Sequence, residues 1–139
     1  MAQELIYSLD QLDVAVELLH SKLTECNIMT FEGTLGAGKT TLVRALLRRC
    51  GIAGVISSPT FTYVNVYENV QGQIFYHFDL YRIKSVNEFL SLGFDEYLRV
   101  PNAWVFIEWP EVIETLLVND VCRVNIDYVD EKRIIRIKQ

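Results

Sequence analysis

The sequence predicts an α/β fold, with a mainly parallel central sheet that is covered by helices and extended by antiparallel hairpins. Three observations support this. A short apolar run at residues 28–31 enters a glycine-rich loop that opens into a helical pattern. Two further apolar runs, at residues 74–78 and 104–107, are each followed directly by a carboxylate. Alternating aromatic and β-branched stretches separated by turns indicate hairpins at residues 61–78 and 121–138.

Composition and charge limit the classes of protein to consider. The chain has 139 residues, half of them hydrophobic, which suits one compact domain spanning residues 1–139. The formal net charge is −5 and the one basic cluster is short, so we expect any RNA to be held by a partner protein. No apolar run approaches the roughly 18 residues that span a bilayer, and the first ten residues lack a secretion signal. We therefore expect a cytoplasmic protein with no membrane partner.

The elements of the first half follow from periodicity. Apolar residues recur at helical spacing over residues 10–23, which predicts a helix that leads into the strand at residues 28–31. The pattern is helical again over residues 39–50. Aromatic and β-branched residues then predict a strand at residues 61–67, and a turn carries it into the strand at residues 74–78.

In the second half, short helices alternate with strands. Two helical segments are separated by Gly93, a third follows the strand at residues 104–107, and two strands form a closing hairpin. The predicted helices are residues 86–92, 94–98 and 111–117, and the predicted hairpin strands are residues 121–128 and 133–138.

The glycine-rich loop is the strongest motif. Residues 33–40 read GTLGAGKT and match G-x-x-x-x-G-K-[ST] in full, after a predicted strand and at the start of a predicted helix. In such a loop the backbone N–H groups surround the β-phosphate, Lys39 reaches the β- and γ-phosphates, and the Thr40 hydroxyl binds Mg²⁺. This predicts a three-layer P-loop NTPase fold. The alternative is an ordinary glycine-rich turn with a solvated lysine.

Two carboxylates are candidates for placing a metal ion and orienting water. Asp79 ends the run IFYHFD and Glu108 ends VFIE, so both side chains should reach the carboxyl edge of the sheet beside the P-loop. Each has a simpler interpretation: Asp79 could pair with Arg82, and Glu108 could be a solvated strand end. His77 is expected to be a packed strand residue rather than a catalytic base.

The segment SSPTFTY at residues 57–63 is a polar loop in which Pro59 restricts the backbone. Thr60 projects a hydroxyl from this loop. A threonine on such a loop often senses the γ-phosphate and its metal, which makes a nucleotide-dependent switch plausible. The alternative is a proline turn that simply leads into a strand.

The order of four motifs resembles that of one known family. They are G-x-x-x-x-G-K-T-T at residues 33–41, S-P-T-F-T at 58–62, H-F-D-L-Y-R at 77–82 and I-E-W-P at 107–110. Together they resemble the TsaE family, also called YjeE, over nearly the whole chain. The resemblance implies ATP with Mg²⁺ and assembly with the proteins TsaB and TsaD. There TsaD modifies adenosine 37 of tRNAs that read codons starting with A, and ATP hydrolysis by the small protein supports repeated turnover.

The resemblance also implies roles for individual residues. Catalysis is assigned to Lys39, Asp79, Glu108 and the switch-like Thr60, and metal binding to Thr40, Glu108 and Asp79, with the direct carboxylate ligand left open. Trp109 lies beside the metal glutamate. The predicted nucleotide-binding residues are Gln11, Gly33, Gly36, Ala37, Gly38, Lys39, Thr40, Thr41 and Arg133.

Competing functions share the P-loop. No arginine finger is identified, although Arg82 and Arg133 are candidates, so we expect slow hydrolysis by the isolated chain and faster hydrolysis with partners. A small-molecule kinase would need an acceptor pocket and an arginine-bearing lid, for which the chain has little room. A GTPase is disfavoured because no N-K-x-D stretch occurs. A nucleotide-gated assembly module with incidental hydrolysis remains an alternative.

Overall fold

The computed structural model describes residues 2–59 and 61–139, so the predicted switch residue Thr60 lies outside the described residues. Seven strands form one sheet. They are β1 Ala2–Tyr7, β2 Ile28–Glu32, β3 Val64–Glu68, β4 Ile74–Asp79, β5 Ala103–Glu108, β6 Val121–Val129 and β7 Lys132–Lys138.

The helices are short. The α-helices are α1 Leu12–Ser21, α2 Lys39–Arg49 and α3 Val86–Ser91, and the 3-10 helices are Leu9–Gln11, Lys22–Thr24, Phe94–Arg99 and Pro110–Leu116. Within residues 2–59 and 61–139, none of them has the length and apolar character needed to cross a bilayer.

The sheet has the order β1-β7-β6-β2-β5-β4-β3. Its four middle strands, β6, β2, β5 and β4, run parallel to one another. The strands β3, β7 and β1 join antiparallel at the two sides, through the hairpins β3–β4 and β6–β7 and the pairing of β1 with β7. The predicted fold class is therefore confirmed, including the antiparallel hairpin additions.

Both faces of the middle strands are buried, as expected for parallel strands covered by helices. On one face α1 and α2 pack over the sheet, and the core includes Leu19, Leu42, Leu46, Phe31 and Phe106. On the other face α3 and the later 3-10 helices pack over it, and the core includes Phe89, Ile113, Phe78, Val105 and Ile107. Because side chains alternate along a strand, β4 and β5 send every second residue towards α2.

Four elements differ from the sequence-based prediction. The strand β1 was not predicted, since it lies at the edge and depends on pairing with β7 at the far end of the chain. The strand predicted over residues 61–67 begins only at Val64, because Tyr63 has a positive φ of 66° and interrupts the extended backbone. The predicted helices at residues 94–98 and 111–117 are 3-10 helices.

Candidate functional site

The glycine-rich loop connects β2 to α2, and its first glycine, Gly33, packs closely against the backbone of β6. A Cβ added at Gly33 would lie 2.5 Å from the backbone oxygen of Ile126, so no side chain fits there without moving a strand. Gly38 caps the start of α2 with a left-handed backbone, φ 100°. The first turn of α2 itself contains no acidic residue, and the positive end of the helix dipole at this point suits an anion.

Lys39 lies at the start of α2 with 5% of its surface exposed. Its ammonium donates to the carbonyl oxygens of Gly33, at 2.5 Å, and Thr34, at 3.0 Å. The same nitrogen lies 3.9 Å from the ring centroid of Trp109, in a cation–π contact. Burial lowers the pKa of Lys39, and the nearby carboxylate of Glu108 opposes that shift.

A buried hydrogen-bond chain joins α2, β5 and β4. The hydroxyl of Thr40 donates to Glu108 Oε1 at 2.7 Å, and Nε2 of His77 lies 2.6 Å from Glu108 Oε2. Glu108 is 2% exposed and His77 is fully buried. The interpretation of Glu108 as a solvated strand end is therefore wrong, because both of its oxygens are bonded inside the protein.

Asp79 lies next to Glu108 because the parallel register of β4 and β5 pairs the two residues. Its Oδ1 accepts the backbone N–H of Tyr81 at 3.1 Å. Within the described residues it forms no ion pair with Arg82, whose guanidinium instead lies 4.8 Å from the ring centroid of Phe61. Burial raises the pKa of the Asp79 carboxyl, and the charge of Glu108 adds to that increase.

The β6–β7 hairpin closes the other side of the loop. Arg133 Nε donates to the Ala37 carbonyl at 3.1 Å, and its guanidinium lies 5.3 Å from the ring centroid of Tyr128. The Tyr128 hydroxyl donates to the Gly36 carbonyl at 2.5 Å. Two side chains from the end of the chain thus contact the backbone of the P-loop.

These groups line one cleft of about 400 Å³ at the carboxyl ends of β2, β4 and β5. Its lining residues are Leu35, Gly36, Gly38, Lys39, Thr40, Thr41, Asp79, Tyr81, Arg82, Glu108, Trp109 and Arg133. Most of the predicted site residues are therefore brought together. Gly33 and Ala37 adjoin the cleft through the carbonyls that accept from Lys39 and Arg133. Gln11 does not line it, since its Oε1 accepts the Ser8 N–H at 3.2 Å, and its nucleotide contact stays a prediction.

The sequence analysis did not assign roles to several residues of the site. His77 was expected only to pack in its strand. Strand alternation could have placed it on the face of Asp79, which is two residues later. Trp109 adopts a left-handed backbone (φ 58°, ψ 59°), and its ring packs against that of Tyr81, with the centroids 4.9 Å apart and the ring planes tilted by 58°. No local sequence signal indicates that conformation, or the contact of Tyr128 with Gly36.

Replacing Asp79 by asparagine is expected to raise the midpoint of thermal unfolding at neutral pH. The pKa of Asp79 is raised in the folded chain, so ionisation of this carboxyl costs stability. That cost is absent below the ordinary pKa of 3.8, grows as the pH rises, and is complete above the raised pKa. The amide keeps an oxygen for the Tyr81 N–H. Thermal unfolding in a chelating buffer tests this. A variant that is no more stable than the parent at neutral pH contradicts it, and so does an advantage that fails to shrink as the pH falls below 3.8.

Comparison with known proteins identifies relatives over most of the chain. The family model described as "Threonylcarbamoyl adenosine biosynthesis protein TsaE" matches residues 6–135. The tRNA threonylcarbamoyladenosine biosynthesis protein TsaE of Haemophilus influenzae is 41% identical over 87% of this chain and 76% of its own length. The protein of the same name from Rickettsia typhi is 38% identical over 88% of this chain and 85% of its own. A crystal structure of Bacillus subtilis YdiB superposes with a TM-score of 0.72 at 27% identity, covering 99% of this chain and 86% of that one.

Proposed function

The chain belongs to the TsaE family of threonylcarbamoyl adenosine biosynthesis proteins, and from that premise we propose that it is the ATP-hydrolysing subunit of a tRNA-modifying complex. It binds ATP with Mg²⁺ as a single domain of residues 1–139 and hydrolyses ATP slowly. It acts with TsaB and TsaD. The complex threonylcarbamoylates adenosine 37 of tRNAs that read codons starting with A, and tRNA meets this chain only through its partners.

The observation that carries the proposal is the convergence of the P-loop with two carboxylates in one cleft. Lys39 and the start of α2 supply positive charge for the phosphates. Phosphoryl transfer through a loose transition state is accelerated mainly by neutralising and orienting the phosphate oxygens. Hydrolysis therefore needs no covalent intermediate with the protein. The side chains and the backbone of the P-loop bind and orient the phosphates.

The oxygen donors fit Mg²⁺, which prefers carboxylate and hydroxyl ligands. Thr40 and Glu108 already lie within hydrogen-bonding distance, and Asp79 is the register neighbour of Glu108. We assign the metal to these three residues, with Glu108 or Asp79 as the direct carboxylate ligand and the other orienting water. When bound, the ion neutralises charge on the phosphate oxygens.

The remaining nucleotide contacts are assigned to the β7 side of the cleft. Arg133 is held against the P-loop by the Ala37 carbonyl and by the ring of Tyr128, which supports a role in binding the nucleotide. Gln11 follows β1, whose last residue Tyr7 is the register partner of Arg133, so it extends the same side of the site. Thr60 is assigned the γ-phosphate switch.

The residues around the rim of the cleft support slow hydrolysis by the isolated chain and faster hydrolysis in a complex with partners. The two candidate arginine fingers, Arg82 and Arg133, both line it. Around its mouth Leu35 is 73% exposed and Tyr81 is 58% exposed, and Phe61, against Arg82, is 79% exposed. Large apolar side chains gathered at a functional site are typical of surfaces that contact another protein.

Measuring phosphate release from purified protein with and without TsaB and TsaD tests the proposal. We expect slow turnover alone, faster turnover in the complex, and ATP-dependent threonylcarbamoylation of tRNA by the complex. Turnover by the isolated chain at kinase-like rates, about 1–100 per second, would contradict the need for partners. Absence of any calorimetric binding of ATP with Mg²⁺ to the folded chain would overturn the proposal as a whole.

A further inference from the structure

We propose that His77 is a positioning residue that holds the Glu108 carboxylate in the orientation needed to bind Mg²⁺. This inference rests on the proposed function and adds a residue to it. His77 itself is not a candidate ligand, since the carboxylate of Glu108 stands between the ring and the hydroxyl of Thr40.

The backbone places His77 for this role. The register of β4 and β5 pairs His77 with Phe106 and Asp79 with Glu108, and all four side chains project from the α2 face of the sheet. Glu108 therefore lies diagonally across from His77, within reach of its ring. Both residues are buried, so water does not compete for their hydrogen bond.

The hydrogen-bonding pattern determines which nitrogen carries the proton. Nε2 lies 2.6 Å from Glu108 Oε2, and an ionised carboxylate oxygen can only accept, so we assign the proton of this hydrogen bond to Nε2. Within residues 2–59 and 61–139, Nδ1 of His77 is buried and has no hydrogen-bond partner. Among the described residues, the hydrogen bond to Glu108 is therefore the one polar contact that orients the ring, and the other ring nitrogen is buried without a partner.

The consequence for Glu108 is a fixed carboxylate plane. A carboxylate on a strand end can rotate about its last torsion, and a rotated carboxylate presents different lone pairs to a metal ion. With Oε2 bonded to His77, Oε1 is directed at the Thr40 hydroxyl, so the two predicted metal ligands face each other. Partners that orient a metal-binding carboxylate in this way affect metal affinity without touching the ion.

The test measures metal-dependent nucleotide binding, a readout that a purely structural role would not change. Calorimetric titrations with the non-hydrolysable analogue AMP-PNP are run with saturating Mg²⁺ and again with a chelator. In His77→Leu we expect wild-type affinity without metal, and a gain from Mg²⁺ that is smaller by about ten-fold or more. His77→Gln, whose amide nitrogen reaches the position of Nε2, should recover most of the gain.

Two further variants keep the test decisive. His77→Asn places its amide nitrogen near the position of Nδ1, so we expect it to lose the Mg²⁺-dependent gain in affinity that His77→Gln keeps. This comparison remains informative if His77→Leu does not fold. Phe75→Leu disturbs the core on the same face of β4, leaves both Glu108 contacts in place, and should respond to Mg²⁺ as the wild type does. If Mg²⁺ raises the AMP-PNP affinity of His77→Gln and His77→Asn equally, the positioning role of His77 is wrong, while the proposed function is unaffected. A wild-type protein that binds AMP-PNP equally with and without Mg²⁺ would count against the proposed function itself.

Discussion

Replacement of Glu108 by glutamine is expected to lower the rate of ATP hydrolysis by about 10²- to 10³-fold. The amide keeps the shape of the side chain but removes the buried negative charge between Thr40 and His77. We expect the variant to fold, because the amide oxygen still accepts from Thr40 and the imidazole can shift its proton to Nδ1 and accept at Nε2. Phosphate release from the complex with TsaB and TsaD measures the loss.

The matched control for this change is Glu111→Gln. It removes the same charge three residues later, from an exposed side chain outside the cleft lining. We expect near-normal hydrolysis in this control. If Glu108→Gln hydrolyses ATP as fast as Glu111→Gln, then Glu108 neither binds the metal nor orients the water. Asp79 would then be the only carboxylate of the proposed pair with either role.

Replacement of Lys39 by alanine is expected to weaken ATP binding by about 10- to 100-fold, which corresponds to the loss of one charged hydrogen bond of about 1.5–3 kcal/mol. In the structure the ammonium is buried against the loop carbonyls of Gly33 and Thr34 and the ring of Trp109. It is therefore already confined to the P-loop and loses little side-chain entropy when a phosphate binds. Calorimetry with AMP-PNP and Mg²⁺ measures the change in affinity.

Lys84→Ala serves as the control, since Lys84 is exposed and does not line the cleft. Wild-type nucleotide affinity in Lys39→Ala would contradict the assignment of the phosphate site. The two replacements also separate hydrolysis from assembly. Loss of complex formation in Lys39→Ala, together with full tRNA modification in Glu108→Gln, would favour a nucleotide-gated assembly module in which hydrolysis is incidental.

Much of the fold was predictable because it depends on local patterns. The helical spacing at residues 39–50 and the carboxylate-ended runs at residues 74–79 and 104–108 correspond to α2, β4 and β5. The strand β1 was missed for the opposite reason. Its residues alternate weakly, with Tyr7 buried and Ile6 exposed, and its hydrogen bonds come from β7, more than 120 positions away.

The site divides in the same way. Lys39 and Thr40 were predicted because a phosphate-binding loop needs those residue types at that spacing. The role of His77 was missed because its partner, Glu108, lies 31 positions away and meets it only through the register of two parallel strands. The left-handed backbone of Trp109 could not be predicted from the sequence either, since a bulky residue rarely adopts that conformation without tertiary contacts.

The sequence by itself determined the family, the phosphate-binding loop and the pair of acidic strand ends, because each depends on residue type at short spacing. Only the tertiary structure decided that Glu108 is a buried carboxylate bonded to Thr40 and His77, that Asp79 is not ion-paired with Arg82, and that Arg133 and Tyr128 contact the P-loop. The physical reason is that these contacts join residues far apart in the chain. Strand pairing brings them together, and burial then fixes their charge and orientation.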